Sequence, residues 1–333
     1  MSFDVIERNL ISNEDWDNFC LVSSGNLNHL SHYQEYLKFT YDLIDFSFGI
    51  TSGGELVAVA PILLSRERTL MVGSNSELSA IPIQRPLVLP SNNKLLIDLL
   101  MLEISHRVPT NSFFEFDIWG ANLLTGEASR RLESYFAKTT HRQTLLVNLS
   151  IGEEEHFKTI SRGHQRTIKK SKASGQIVTI LSSSSRKADV VAGFQDYRDA
   201  HANAAGRITR SNQSFELMLE FINSGQACLF IGRSGHRDLS FLYCDFRAHL
   251  SRGWSQANSS QLLPGEFPRH QTEWEAFNYF RRVGVKYYHL GAKFEHNNDS
   301  EISKIHSIND YKDRFHPICV QGFTAILKEL KLD

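Results

Sequence analysis

TLLVNLSIGEEEHFKTISRGHQRTIKKSKASGQIVTI, residues 144–180, is the stretch on which the reading of this chain turns. An apolar run leads into three acids, Glu153, Glu154 and Glu155, and the next acid is Asp189. Between them stand Lys158, Arg162, Arg166, Lys169, Lys170, Lys172, Arg186 and Lys187. The spacing predicts a strand, a short acidic link, a helix over 153–174, a left-handed cap at Gly175 and a second strand, Gln176 to Leu181. At about 100° per residue, Phe157, Ile160, His164 and Ile168 fall in one arc, with Lys158, Arg162, Arg166, Lys169 and Lys170 opposite. One face packs; the other meets water or an anion. An ordinary exposed helix interleaves signs four residues apart, and this one does not. A coenzyme pyrophosphate, a nucleotide- or lipid-linked sugar and the backbone of transfer RNA are the candidate anions.

Outward from this stretch, helical and β periods alternate. Residues 13–40 read as helical, and Phe46–Ile50 and Glu55–Leu64 form a hairpin about Ser52-Gly53-Gly54. Lys94–His106 reads as a helix and Phe113–Trp119 as a strand. Pro82, Pro86 and Pro90 punctuate the stretch before that helix. After residue 150, helices at 153–173, 188–202 and 213–223 lead to a second hairpin, Ala227–Ile231 with Leu239–Phe246, then a strand at Arg252–Asn258. A loop carrying Pro264 and Gly265 leads to a helix that accepts Pro268 in its first turn and shows Trp274, Phe277 and Phe280 on one face. Lys286–Leu290 is a strand, Tyr311-Lys312 a short helical patch, Ile318–Phe323 a strand and Thr324–Lys331 a closing helix. FGITSGGELVAVA and FIGRSGHRDLSFLY echo one another, which favours a duplicated unit. The expected architecture is α/β, with α+β mixed sheets in two tandem domains, 1–148 and 149–333, and a cleft between them.

At 333 residues the chain exceeds the size at which one core stops growing, and its 41% hydrophobic and 22% charged content is that of a globular protein. A net charge of −1 excludes a protein basic as a whole, and DNA is not an expected partner. Cys20, Cys228, Cys244 and Cys319 make no C-x-x-C, which argues against a zinc knuckle or a disulfide framework and for a reducing cytoplasm. MSFDVIERNLISNEDWDNF lacks a basic and apolar leader, and apolar runs such as Leu95–Leu102 stop well short of the ~20 residues a bilayer needs. A cytoplasmic protein without a transmembrane segment is expected, with peripheral membrane contact still compatible. His289, His296, His306 and His316 stand near Glu295, Asp299 and Glu301, but their spacing fits no metal motif, so they read as loop histidines and no metal is expected. No G-x-S-x-G or P-loop occurs, which leaves hydrolase and NTPase readings without support, and a nucleotide-sugar transferase reading lacks a glycine-rich phosphate loop.

The 144–180 stretch, with its R-x-x-I-K-K-x-x-x-x-G helix, resembles the signature of Fem-type aminoacyl- and acyltransferases, a branch of the GNAT superfamily. YKDRF at 311–315 resembles that family's late F-K-x-x-F element, and WEAFNYFRRVGVKYYHLGA resembles the helix, glycine and strand before it. With the N-terminal W-x-x-F and ELVAVAPILL, the resemblance spans nearly the whole chain as two GNAT-like domains, the first on the acceptor side and the second on the donor side. It implies transfer of an acyl or aminoacyl group to an amine of a cell-envelope precursor or amino sugar, with a small-molecule or a lipid- or nucleotide-linked glycan as acceptor. The donor is open among acyl-CoA, an acyl carrier and aminoacyl-tRNA, with no tightly bound cofactor. SSQLLPGEF stands where the R/Q-x-x-G-x-G/A loop of acetyl-CoA enzymes is expected.

Lys312, by this resemblance, stabilises a developing oxyanion. Tyr311 beside it is a candidate proton donor. Asp245, in LYCDF, is either a general base or an outward-facing strand residue. Arg162, Arg166, Lys169 and Lys170 are candidate anion contacts, as are Arg252 and Trp254 on the strand expected to border the donor. Tyr36, Lys38, Tyr287 and Tyr288 complete the set as substrate contacts. This reading needs Arg162 to Lys172 and Lys312 to face one groove. Its rival is a non-catalytic module that holds an anionic polymer or transfer RNA on the basic helix.

Overall fold

The computed structural model describes residues 2–23, 25–65, 83, 84, 86–88, 94–109, 112–116, 127–259, 262, 263, 266–293 and 302–328. Contacts divide the chain into two compact units, Met1–Gln143 with Gln321–Asp333, and Thr144–Val320.

In the first unit β1 (Asp4–Glu7) is followed by helices α1 (Asn13–Val22) and α2 (Ser31–Tyr41). The run expected to be continuous over 13–40 is thus two helices, because Asn26, Leu27 and His29 form a separately capped single turn. Short strands follow: β2 (Ile44–Asp45), β3 (Phe48–Ser52), β4 (Glu55–Ala60), β5 (Leu63–Leu64), β6 (Ile83–Gln84) and β7 (Leu87–Val88). Then come α3 (Lys94–Arg107), β8 (Phe113–Phe116), α4 (Glu127–Ser134) and the long β9 (Phe136–Asn148), which carries the chain out of this unit. The β3–β4 hairpin turns through Gly53 and Gly54, both at positive φ, as its glycine pair predicts. Phe48, Ile50, Ala58 and Ala60 pack on Ile97, Leu100, Met101 and Ile104 of α3. Buried Asp17 in α1 fixes the start of α2: its carboxylate accepts from the Ser31 amide at 2.7 Å and the Ser31 hydroxyl at 3.0 Å.

The second unit opens with α5 (Glu153–Thr159) and α6 (Arg162–Ala173). The single helix expected over 153–174 is broken, because Ser161 leaves helical conformation, accepts from the His164 amide and sends its own amide to the Arg314 carbonyl. Next come β10 (Ile177–Leu181), α7 (Lys187–Ala205), α8 (Asn212–Asn223), β11 (Ala227–Ser234), β12 (Arg237–Arg247), β13 (Leu250–Asn258), α9 (Pro268–Arg282), β14 (Tyr287–Ala292) and α10 (Ile302–Asp313). The sheet runs β10-β11-β12-β13-β14 and then the Thr144–Asn148 end of β9; the β13–β14 pair is parallel. Strand alternation sends side chains to two layers. Cys228, Phe230, Leu242 and Cys244 face Trp274, Phe277 and Phe280 of α9. Tyr243 stacks on Tyr197 of α7 and Phe241 meets the same ring at a tilt, while Phe215 of α8 contacts it edge-on.

The last strand, β15 (Ile318–Leu327), occupies much of the region where a closing helix was expected. Phe323, Ala325 and Leu327 are buried while Thr324 and Ile326 are less so, a period of two, and the strand pairs with β8 of the first unit from Phe323↔Phe116 to Ile326↔Phe113. The expected division after residue 148 gave this tail to the second half. Residues 117–119 of the expected Phe113–Trp119 strand, with Pro82 and Pro90, lie outside the described residues, as do Pro264, Gly265 and the group Glu295, His296, Asp299 and Glu301. Two of the expected loop histidines are in regular elements: His289 in β14 and His306 in α10.

Asp17→Ala removes both acceptors that hold the start of α2. An unfolding free energy lower by about 1–3 kcal/mol in urea is the expected outcome.

Candidate active site

The parallel ladder between β13 and β14 runs from Leu250↔Tyr287 through Ser251↔Tyr288 to Arg252↔His289. Beyond it β13 stays with β12 as far as Asn258, while β14 stays with β9 through Gly291↔Leu145 and Ala292↔Thr144. Held by different outer neighbours, the two strands part. Between them opens a cavity of about 300 Å³, walled by Gly253–Gln256 of β13, Leu290 and Gly291 of β14, Arg269 and Glu273 of α9, and Ile308, Tyr311 and Lys312 of α10.

Lys312 is 7% exposed. Its ammonium donates to the Ala292 carbonyl at 2.8 Å, at the parted end of β14. Burial, reinforced by the Arg269 guanidinium, lowers its pKa to about 8, against the opposing pull of Glu273 and Asp313. Gly291, at φ +99°, makes room: a Cβ there would stand 2.9 Å from Lys312 Nζ.

Glu273, 1% exposed, belongs to the same cavity. The Tyr288 hydroxyl donates to its Oε1 at 2.6 Å, and the Gln256 amide donates to Oε2. Burial pushes the carboxyl above the usual range, and these two donors pull it back. Gly253 is as necessary here as Gly291 is beside the lysine, since a Cβ on it would meet the Tyr288 hydroxyl at 2.5 Å. The Arg269 guanidinium lies 4.1 Å over the Tyr311 ring, and burial raises the Tyr311 phenol. Two cations, a carboxylate and two phenols thus surround or back a space large enough for the reacting end of an acyl group and an amine.

The expected site residues fall in different surroundings. Lys312 and Tyr311 wall the cavity, and Tyr288 backs it from β14. Asp245 is fully buried and its carboxylate is clasped by Arg252, with Nε at 3.0 Å from Oδ1 and Nη2 at 2.5 Å from Oδ2; it is neither outward-facing nor presented to the cavity. Arg252, 4.9 Å over the Trp254 ring, serves that pair, and Trp254 packs on Phe221 and Tyr243 while bordering the cavity. Tyr287 is a half-buried strand residue whose carbonyl accepts from the Ser251 hydroxyl.

Arg162, Arg166, Lys169 and Lys170 are exposed, as the helical projection requires, with His164 and Ile168 buried on the other side. None of the four walls the cavity, whose cations are Lys312 and Arg269. The expected convergence of the basic face with Lys312 is therefore not what this unit shows: α6 meets the site through its buried side, where His164 contacts Tyr311 and His270. In the first unit, Tyr36 is buried and stacked on Tyr33, and Lys38 pairs with Glu35 at 2.8 Å.

Arg269 and Glu273 were not anticipated. Their signal was present in the spacing, since Glu273 lies four residues before Phe277 and seven before Phe280, an acid on the apolar stripe of α9.

A two-layered unit with parted parallel strands, together with a second α/β unit in one chain, is a tandem GNAT-like fold of the kind seen in FemX. FemX shares it at a TM-score of 0.71 with 15% identity, over 98% of this chain and 98% of that one. The C-terminal domain of a putative lysylphosphatidylglycerol synthetase from Agrobacterium fabrum matches at 0.56 and 11% identity, over 95% and 91% of the two chains. A tandem GNAT protein from the clavulanic acid biosynthesis pathway matches at 0.51 and 8% identity, over 99% and 100%. No protein-family model and no curated protein sequence matches the chain.

Gly291→Ala forces a side chain into an unfavourable backbone region and against the Lys312 ammonium, so a loss of about 1–3 kcal/mol in thermal or urea unfolding is expected. Asp245→Asn leaves the Arg252 guanidinium without its counter-charge in a buried setting, and urea unfolding is expected to show a loss of about 3 kcal/mol.

Proposed function

We propose that the protein is an acyl- or aminoacyltransferase that forms an amide on an amine of a cell-envelope precursor or amino sugar. The observation that carries this reading is Lys312, buried and anchored on the Ala292 carbonyl at the mouth of the parted strands. An ester or thioester carbonyl placed there has a largely buried ammonium beside the oxygen on which charge develops. Arg269 adds a second positive charge and holds the Tyr311 ring under it. The donor is a diffusing acyl-CoA, an acyl carrier or an aminoacyl-tRNA, and no resident cofactor is required. The acceptor is a small amine or a lipid- or nucleotide-linked glycan. The name of one structural neighbour describes an aminoacylated membrane lipid as product, in keeping with an envelope substrate. Among the described residues no helix is long and apolar enough to cross a membrane.

Radiolabelled acetyl-CoA and alanyl-tRNA, each offered with glucosamine and with a nucleotide-linked muramoyl peptide, test the assignment. Label entering a base-stable amide with one of these pairings is the expected result. In that pairing Lys312→Ala is expected to lower kcat/KM about 100-fold, with circular dichroism unchanged. Unchanged turnover removes Lys312 from the mechanism.

A further inference from the structure

The cavity holds a contradiction if it serves only to bind anions. Lys312 and Arg269 repel the positively charged amine that the acyl-transfer reading requires as acceptor. Glu273 is the one carboxylate among the described residues that wall the same space. It stands on the buried stripe of α9 beside Trp274 and Phe277, where an apolar side chain would satisfy packing without burying a charge. Its partners come from the two strands that part: Tyr288 from β14 holds Oε1 and Gln256 from β13 holds Oε2. Each donor occupies one lone pair, and a carboxylate oxygen has two, so the group is oriented and still able to accept.

The geometry points to Glu273 as the catalytic base that receives the acceptor ammonium and takes its proton, an inference that rests on the acyl-transfer reading above. The acceptor ammonium gives one proton to the Glu273 carboxylate. The freed nitrogen lone pair forms a C–N bond to the donor carbonyl carbon, and the C=O pair moves onto oxygen beside the Lys312 ammonium. Collapse breaks the C–O or C–S bond, and the second ammonium proton passes to the departing oxygen or sulfur as the nitrogen becomes an amide. The proton held on Glu273 leaves to solvent, which restores the carboxylate.

The groups that face the carboxylate fit this role. Arg269, Lys312, Tyr288 and Gln256 favour its ionised form against the cost of burial. Burial raises the pKa values of Tyr311 and Cys244, and the charge of Glu273 adds to that effect, so both stay protonated beside it. Because the folded carboxyl titrates above its ordinary value, transfer to an ammonium acceptor falls as pH drops through that raised value.

The test compares two acceptors with the donor that serves in the labelling assay: glucosamine, an ammonium at about neutral pH, and hydroxylamine, already a free base there. Glu273→Gln is expected to lower enzyme-dependent transfer to glucosamine about 100-fold, with the deficit shrinking as pH approaches the pKa of the amine. Transfer to hydroxylamine is expected to stay within about fivefold of wild type. Equal loss with both acceptors at every pH, or no loss with either, overturns the inference. Tyr288→Phe, which removes one donor to the carboxylate and keeps the ring, is a second arm should Glu273→Gln not fold. It is expected to move the acid limb for glucosamine to higher pH, and an unmoved limb overturns the assignment. Where the muramoyl peptide alone is labelled, it takes the place of glucosamine in both arms; wild-type enzyme that transfers to none of the three acceptors refutes the acyl-transfer reading itself, an outcome distinct from a wild type that works and a variant that fails alike with both.

Discussion

Everything at the candidate site follows from a conflict of allegiance between two strands. β13 and β14 share three register pairs and then follow different outer partners, β12 on one side and β9 on the other. A parallel pair pulled apart in this way exposes inner backbone groups that need new partners. The Lys312 ammonium satisfies the Ala292 carbonyl, so the same contact completes hydrogen bonding at the parted end of β14 and plants a positive charge where the strands open. Two glycines make the arrangement sterically possible, Gly291 against the lysine and Gly253 against the Tyr288 hydroxyl.

The charges that line the opening are mutually dependent. Burial disfavours the charged forms of both Glu273 and Lys312, and each lies near enough to the other to oppose that effect. Arg269 acts on both with opposite sign, stabilising the carboxylate and destabilising the ammonium. The result is an acid and a base whose proton affinities have moved towards one another, the condition under which a proton moves between groups at little cost. Behind them, the Tyr288 hydroxyl is 3.5 Å from Cys244, which ties the carboxylate to the aromatic core around Phe277 and Phe280.

Much of this was legible in the residues. The glycine hairpins, Pro268 at the start of α9, the αL glycine after α6 and the buried arc through His164 and Ile168 each follow from a local rule that tertiary structure left undisturbed. Other elements depended on partners distant in the chain. Ser161 breaks the basic helix by capping its second part through the His164 amide while the Arg314 carbonyl takes its own amide; the capping residue is visible within 153–174, and the distant carbonyl is not. Thr324–Lys331 reads as helical because of Ala325, Leu327, Lys328, Glu329, Leu330 and Lys331, whereas pairing of Phe323–Ile326 with β8 makes its first residues strand. Asp245 and Arg252 are seven residues apart in sequence but opposite one another in register, so their ion pair is a product of the β12–β13 alignment. The bias of the basic helix was real, yet charge along one helix says nothing of which cavity it borders.

The path of β15 has a consequence for how the molecule is made. The first unit is discontinuous: its chain departs through β9 and returns only with residues 321–333. On a ribosome, β8 emerges well before Phe323 to Ile326, and must wait for them until all of the second unit between has been synthesised. The second unit, contiguous from Thr144 to Val320, has all of its strands in hand before that. The first unit is thus the later of the two to acquire its full complement of strands, and until β15 arrives one edge of β8 lacks its partner.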